Sequence, residues 1–253
     1  NSDRFNMDKY HLCISTQCQV YKPFKITNKK VQKAIEATSN LILTYGNKPI
    51  NAFYHGSNGG VSATAGESWQ IQDYSYFNSI IDGPKSLNKI FKLPITSESD
   101  LNNFLDFDKE KFYGSYHSLF RWNKKISSLE IKDKLIKNKL INIDDDVLDL
   151  NSIERGSSGR VTKLEIQTKK VNKSIVLVKD DIRRVLNFIP SNLFTINKLS
   201  DDLWLLRGGG FGHGVGLSQS GAIEMAKLGL SYEQILNHYY RHAKLKKIEI
   251  LSQ

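Results

Sequence analysis

Two segments of this chain pair side chains that can move protons or hold hydroxyl groups with a backbone that a ligand can approach closely. The first, Arg207-Gly-Gly-Gly-Phe-Gly-His-Gly-Val-Gly-Leu-Ser-Gln-Ser-Gly221, carries six glycines between Gly208 and Gly216 and presents the His213 imidazole, the Ser218 hydroxyl and the Gln219 amide. The second, His55-Gly-Ser-Asn-Gly-Gly60, follows Tyr54 and presents another imidazole, hydroxyl and amide at His55, Ser57 and Asn58. Neutral donors and acceptors of this kind suit sugar hydroxyls. Gly59, Gly60, Gly212 and Gly214 lack the Cβ that would keep a ligand at a distance. Together these residues form a candidate substrate-binding group. The competing account is tight packing of backbone on backbone, with His213 a hydrogen-bonded structural residue.

Other chemistries fit less well. The strand, glycine loop and helix around Leu203 to Leu228 suggest a phosphate cradle, but G-x-G-x-x-G fails in every register and no G-K-[ST] follows. No G-x-S-x-G nucleophile elbow is present. His11, Cys13 and Cys18 could hold a structural Zn²⁺ with a fourth ligand from elsewhere. A disulfide and two free thiols are the alternatives, and C-x₄-C does not choose among them.

The elements that position the two loops follow from local pattern. Leu41 to Tyr45, the pair Gly46-Asn47, and Lys48 to Tyr54 read as a β-hairpin that delivers its second strand into the His55 loop. Val161 to Thr168 and Ser174 to Val178 read as a second antiparallel pair, followed by a short helix from Asp180 to Leu186. Leu203-Trp-Leu-Leu206 reads as a buried strand that empties into the glycine loop. Helical spacing then runs from Leu217 to a stop at Gly229, and Ser231 with Gln234 forms a capping box for a last helix. Ile248 to Leu251 reads as a closing strand. From residue 96 to 146 the sequence turns charged and helix-favouring. The expectation is an α+β fold: a body of antiparallel strands at 1–95 and 147–253 with peripheral helices, and a helical insertion at 96–146.

At 253 residues, with 40% hydrophobic and 25% charged side chains, the chain can bury a core, and global disorder is excluded. A formal charge of +10, from 36 Lys and Arg against 26 Asp and Glu, favours a polyanionic partner. Nucleic acid rests on that charge alone, because no RNA-recognition, zinc-finger or helix-turn-helix signature accompanies it. No apolar run reaches the roughly 18 residues of a membrane-spanning helix, the first nine residues lack the apolar stretch of a signal peptide, and no initiator Met is present.

The motifs taken in order resemble one family. Cys18-Gln-Val-Tyr21, Tyr54-His-Gly-Ser-Asn-Gly-Gly60 with Glu67-Ser-Trp69, Arg155-Gly-Ser-Ser-Gly-Arg-Val161, the glycine loop, and Tyr232-Glu-Gln-Ile-Leu-Asn-His-Tyr-Tyr240 resemble the stage II sporulation protein D family, which includes amidase enhancers. The resemblance covers most of the chain outside 96–146. It implies an extracytoplasmic, cell-envelope protein acting on peptidoglycan strands as a lytic transglycosylase, with no required cofactor and with a cell-wall amidase as a further partner. A non-catalytic glycan-binding protein or amidase enhancer is the alternative. The family's catalytic Glu lies upstream of the Cys-Gln-Val-Tyr region and no position here matches it, so the resemblance leaves the catalytic residue unassigned. It makes this chain either the region downstream of that acid or a member without it. Glu67, the nearest carboxylate, receives no catalytic role from the resemblance.

Overall fold

The computed structural model describes residues 28–170 and 174–248. Its contacts divide the chain into two compact units, residues 43–246 and residues 1–42 with 247–253. In the smaller unit, helix α1 (Lys29–Thr38) starts where the Asn28 side chain accepts from the Lys30 N–H at 2.9 Å, satisfying one of the donors a helix start leaves open. His11, Cys13 and Cys18 lie outside the described residues.

The larger unit is an α+β fold. Strand β1 (Leu41–Tyr45) turns through Gly46 and Asn47 into β2 (Lys48–Pro49), with both turn residues at positive φ (53° and 63°), as a primed hairpin turn needs. The expected long second strand is interrupted. After Pro49 the Ile50 N–H still donates to Leu43 O at 3.0 Å, and the next strand, β3 (Tyr54–His55), takes a different partner.

Two antiparallel sheets enclose the largest core. One is β5 (Val147–Arg155), β6 (Val161–Thr168) and β7 (Ile175–Val178), with β6 central. In β6, Leu164 and Ile166 point inward while Lys163 and Gln167 face out, the period of two that a half-covered strand requires. The other sheet has β9 (Leu203–Gly208) between β4 (Trp122–Ser127) and β8 (Phe194–Ser200), so the apolar Leu203–Leu206 run is a central strand paired on both sides. Trp204 and Leu206 of β9 meet Ile131 and Leu135 of α5 (Ser128–Lys137) and Ile182 and Val185 of α6 (Asp180–Val185).

Residues 96–146, expected as a helical insertion, contain α4 (Glu98–Asp106) and α5, but also β4, an integral strand of the β9 sheet. Leu101, Phe104, Leu105, Phe112 and Phe120 from this stretch form a second core with Val61, Ile81 and Leu193. The stretch therefore supports the His55 loop from beneath. Most of its charges face outward, Asp145 and the Arg121 guanidinium over the Phe120 ring being the exceptions, and the widely spaced aromatic positions carry the burial.

Candidate functional site

The two glycine loops meet. Strand β10 (Leu217–Ser218) pairs with β3 in parallel, Leu217 opposite Tyr54 and Ser218 opposite His55. Further along, Ser57 and Phe211 exchange both backbone hydrogen bonds, at 3.1 and 2.7 Å. The Ala63 N–H donates to Gly214 O at 2.8 Å, and the Ser220 N–H to Gly56 O at 3.1 Å. Glycine is required for this approach. A Cβ on Gly210 would stand 2.7 Å from Ser57 O, and one on Gly59 would stand 2.6 Å from the Gly209 carbonyl carbon, with φ at +87° and +70°. Helix α7 (Gln219–Lys227) then begins, capped by Ser218, whose side chain accepts from the Gly221 N–H at 3.3 Å.

The two imidazoles lie 5.2 Å apart, each fixed in one tautomer by backbone. His213 Nδ1 accepts from the Val215 N–H at 3.0 Å, so Nε2 carries the proton and donates to Tyr54 O at 3.0 Å. His55 Nδ1 donates to Val215 O at 3.1 Å, which leaves its Nε2 lone pair buried and without a partner among the described residues. Burial lowers the His213 pKa to about 4, with the Tyr54 bond opposing and Arg160 and Arg183 adding to the fall. Burial, then His213 and Arg160, hold His55 well below the usual histidine range. Both rings are neutral at physiological pH.

Arg160, 1% exposed, runs beneath both loops. Its guanidinium donates to Val61 O, Ser158 Oγ and Asn58 O at 2.9 to 3.0 Å and lies against Gly214, where any side chain would collide with it. Burial lowers its pKa to about 10, so it stays charged at neutral pH, with Glu67 as the nearby anion. Glu67 accepts from the Ser158 N–H at 2.7 Å, the Ser157 hydroxyl at 3.2 Å and the Thr64 N–H at 2.9 Å.

Behind the His55 loop sits Asp82, fully buried. It accepts from Asn58 Nδ2 at 2.7 Å, from the Tyr239 hydroxyl at 3.0 Å, and from His238 Nε2 at 2.9 Å, the last two on α8 (Tyr232–Tyr239). Burial and the Asp82 charge push the Tyr239 hydroxyl well above its ordinary range, so it remains a donor. Asp82→Asn is expected to cost about 2–3 kcal/mol, because the new amide turns N–H toward groups that themselves donate. Urea unfolding measures this, and an unchanged midpoint would contradict it.

The sequence-predicted residues divide by placement. Ser57, Asn58, Gly59 and Gly60 are buried and hold the loops together, as are Gly214 and Ser218, while His55 lies just beneath the surface. Gly212 and His213 are partly exposed, in a small crevice shared with Ser68, Asp180, Arg183 and Asn192. Tyr54 is 41% exposed and Gln219 is exposed. Phe211 is 46% exposed, its ring stacked on His117 at 6.1 Å and 23°. Sequence reading did not single out Arg160, Asp82, Phe211 or His117 as site residues. The Arg155 to Val161 motif contained Arg160, and only the fold shows that it reaches the loops.

The fold is an α+β body in which a parallel strand pair joins two glycine loops over a buried arginine. The chain belongs to the stage II sporulation protein D family. Residues 63–216 match the family model described as Domain of unknown function (DUF8618), and residues 1–45 match Stage II sporulation protein. The chain is 26% identical over 244 residues to the amidase enhancer of Bacillus subtilis (strain 168), covering 89% of this chain and 34% of that protein. It is 27% identical over 222 residues to stage II sporulation protein D of the same organism, covering 87% and 52%. The chain thus spans from about a third to about half the length of these curated relatives. Among the described residues, no helix is long and apolar enough to cross a membrane, and no three His, Cys, Asp or Glu side chains stand together to hold a metal ion.

Proposed function

We propose that this chain forms the glycan-holding body of an extracytoplasmic protein that cleaves peptidoglycan strands as a lytic transglycosylase. The supporting observation is the meeting of the two loops, which leaves Tyr54, Phe211 and Gln219 exposed and His213 partly exposed, with both loop imidazoles neutral. Aromatic faces suit the C–H side of a sugar ring, and neutral amide and imidazole groups suit its hydroxyls. In the reaction one carboxylic acid protonates the leaving glycosidic oxygen. As carboxylate it then takes the proton of the muramyl 6-hydroxyl, which closes onto C1 as the old bond breaks, and no water is consumed. The loops orient the sugar for that closure.

The alternative is a non-catalytic wall-glycan binder that enhances an amidase. It is favoured by the two buried carboxylates nearest the loops, Glu67 and Asp82, each held by three hydrogen-bond donors. The gene's full-length protein, incubated with peptide-free glycan strands, is expected to give 1,6-anhydromuramyl ends by mass spectrometry. Reducing ends alone would refute the transglycosylase, and strand binding without cleavage would establish the binder.

A further inference from the structure

On the far side of Asp82 from the His55 loop, a cleft of about 480 Å³ opens between α8, the residues that follow it and the turn after Asp82. That volume lies in the range of small-ligand sites. Its charged rim is of one sign: Lys85 and Arg241 stand exposed around it beside the exposed His242 ring, and none of its lining residues is Asp or Glu. Among the described residues, neither Lys85 nor Arg241 has a carboxylate partner within 4 Å. The wall includes His238, whose Nε2 is fixed on buried Asp82 at 2.9 Å, so its ring orientation is set and Nδ1 is the nitrogen left over.

We infer that this cleft binds the terminal carboxylate of a short peptide. The Arg241 guanidinium can take a carboxylate bidentately, and Lys85 adds a second charge. Gln234, whose Oε1 already accepts from the Ser231 N–H at 2.8 Å, keeps its amide N–H₂ for a peptide carbonyl, and Asn237 stands one helical turn on. Met225 and Leu230 supply apolar surface for a small side chain, which a bare phosphate would not use. The inference does not depend on the glycan reading, since no cleft residue belongs to either glycine loop.

The test is calorimetric titration of the whole chain at neutral pH with acetyl-Ala-Ala, its C-terminal amide and inorganic phosphate. The free acid is expected to bind saturably, with the amide weaker by about tenfold or more. Arg241→Gln and Lys85→Gln are each expected to weaken the acid by about tenfold while leaving the thermal midpoint unchanged. Running the L and D enantiomers separates a protein C-terminus from a wall stem peptide as the source, and saturable binding of either supports the cleft. Absence of binding, equal binding of acid and amide, phosphate binding as tight as the acid, or neutral effects of both substitutions would overturn it. Glycan cleavage in the Arg241→Gln protein reports separately on the transglycosylase reading.

Discussion

Replacing Arg160 by methionine is expected to lower the unfolding free energy by about 3–5 kcal/mol, because three buried acceptors lose a donor at about 1–3 kcal/mol each. Methionine keeps much of the volume, so the loss is electrostatic and hydrogen-bonding rather than a cavity. Three acceptors that the guanidinium now satisfies, Val61 O, Asn58 O and Ser158 Oγ, would be left without it, and Glu67 would lose its buried counter-charge. For a chain of this size the thermal midpoint should drop by roughly 10 °C. Arg160→Lys should recover only part of the loss, because one ammonium cannot span acceptors on both the 58–61 and 158 segments in the plane of a guanidinium. A methionine variant within 1 kcal/mol of wild type, by urea unfolding at pH 7.5, would show that the loops hold each other without the arginine.

Stability is expected to fall as pH drops from about 6.5 toward 4, and the two loop imidazoles are the cause. A histidine whose folded pKa is depressed binds fewer protons folded than unfolded throughout that window, so acid drives unfolding there. Above pH 6.5 both states are neutral at these rings and the contribution is flat. For His213, the distance from the ordinary 6.5 down to about 4 corresponds to on the order of 3 kcal/mol of lost stability. His55 acts in the same direction. Protonation also removes an acceptor, since His213 Nδ1 could no longer take the Val215 N–H that fixes the loop. His213→Gln should therefore be less stable at pH 7.5 but show a shallower decline between 6.5 and 4.5. Denaturant midpoints at four pH values decide it, and parallel curves for the two proteins would show that His213 does not carry the acid sensitivity.

The parts of the fold that were legible in the sequence are those whose partners lie a few residues away. The Gly46-Asn47 turn, the Ser231/Gln234 capping box and the stop at Gly229 are local geometry written in residue types, and each stands in the structure. The strand pair β6–β7 and the helix after it were visible for the same reason. Strand β4 was not. Its sequence, Trp122-Asn-Lys-Lys-Ile-Ser127, has weak alternation inside a charged stretch, and it becomes a strand because the open edge of β9 pairs with all six of its residues. The same limit applies to the site. Two glycine-rich loops with imidazoles could be marked as a candidate pair, but not the hydrogen bonds that set the tautomers.

By itself, then, the sequence determined the α+β character, the family and the two segments whose glycines allow a close backbone approach. Tertiary structure alone decided what those segments rest on. Arg160 reaches a carbonyl 102 residues away, and Asp82 joins Asn58 to a histidine 156 residues further along. Such partners are chosen by burial. A charge or amide enclosed by the fold must find a complementary group wherever the chain brings one, and no spacing along the sequence encodes that choice.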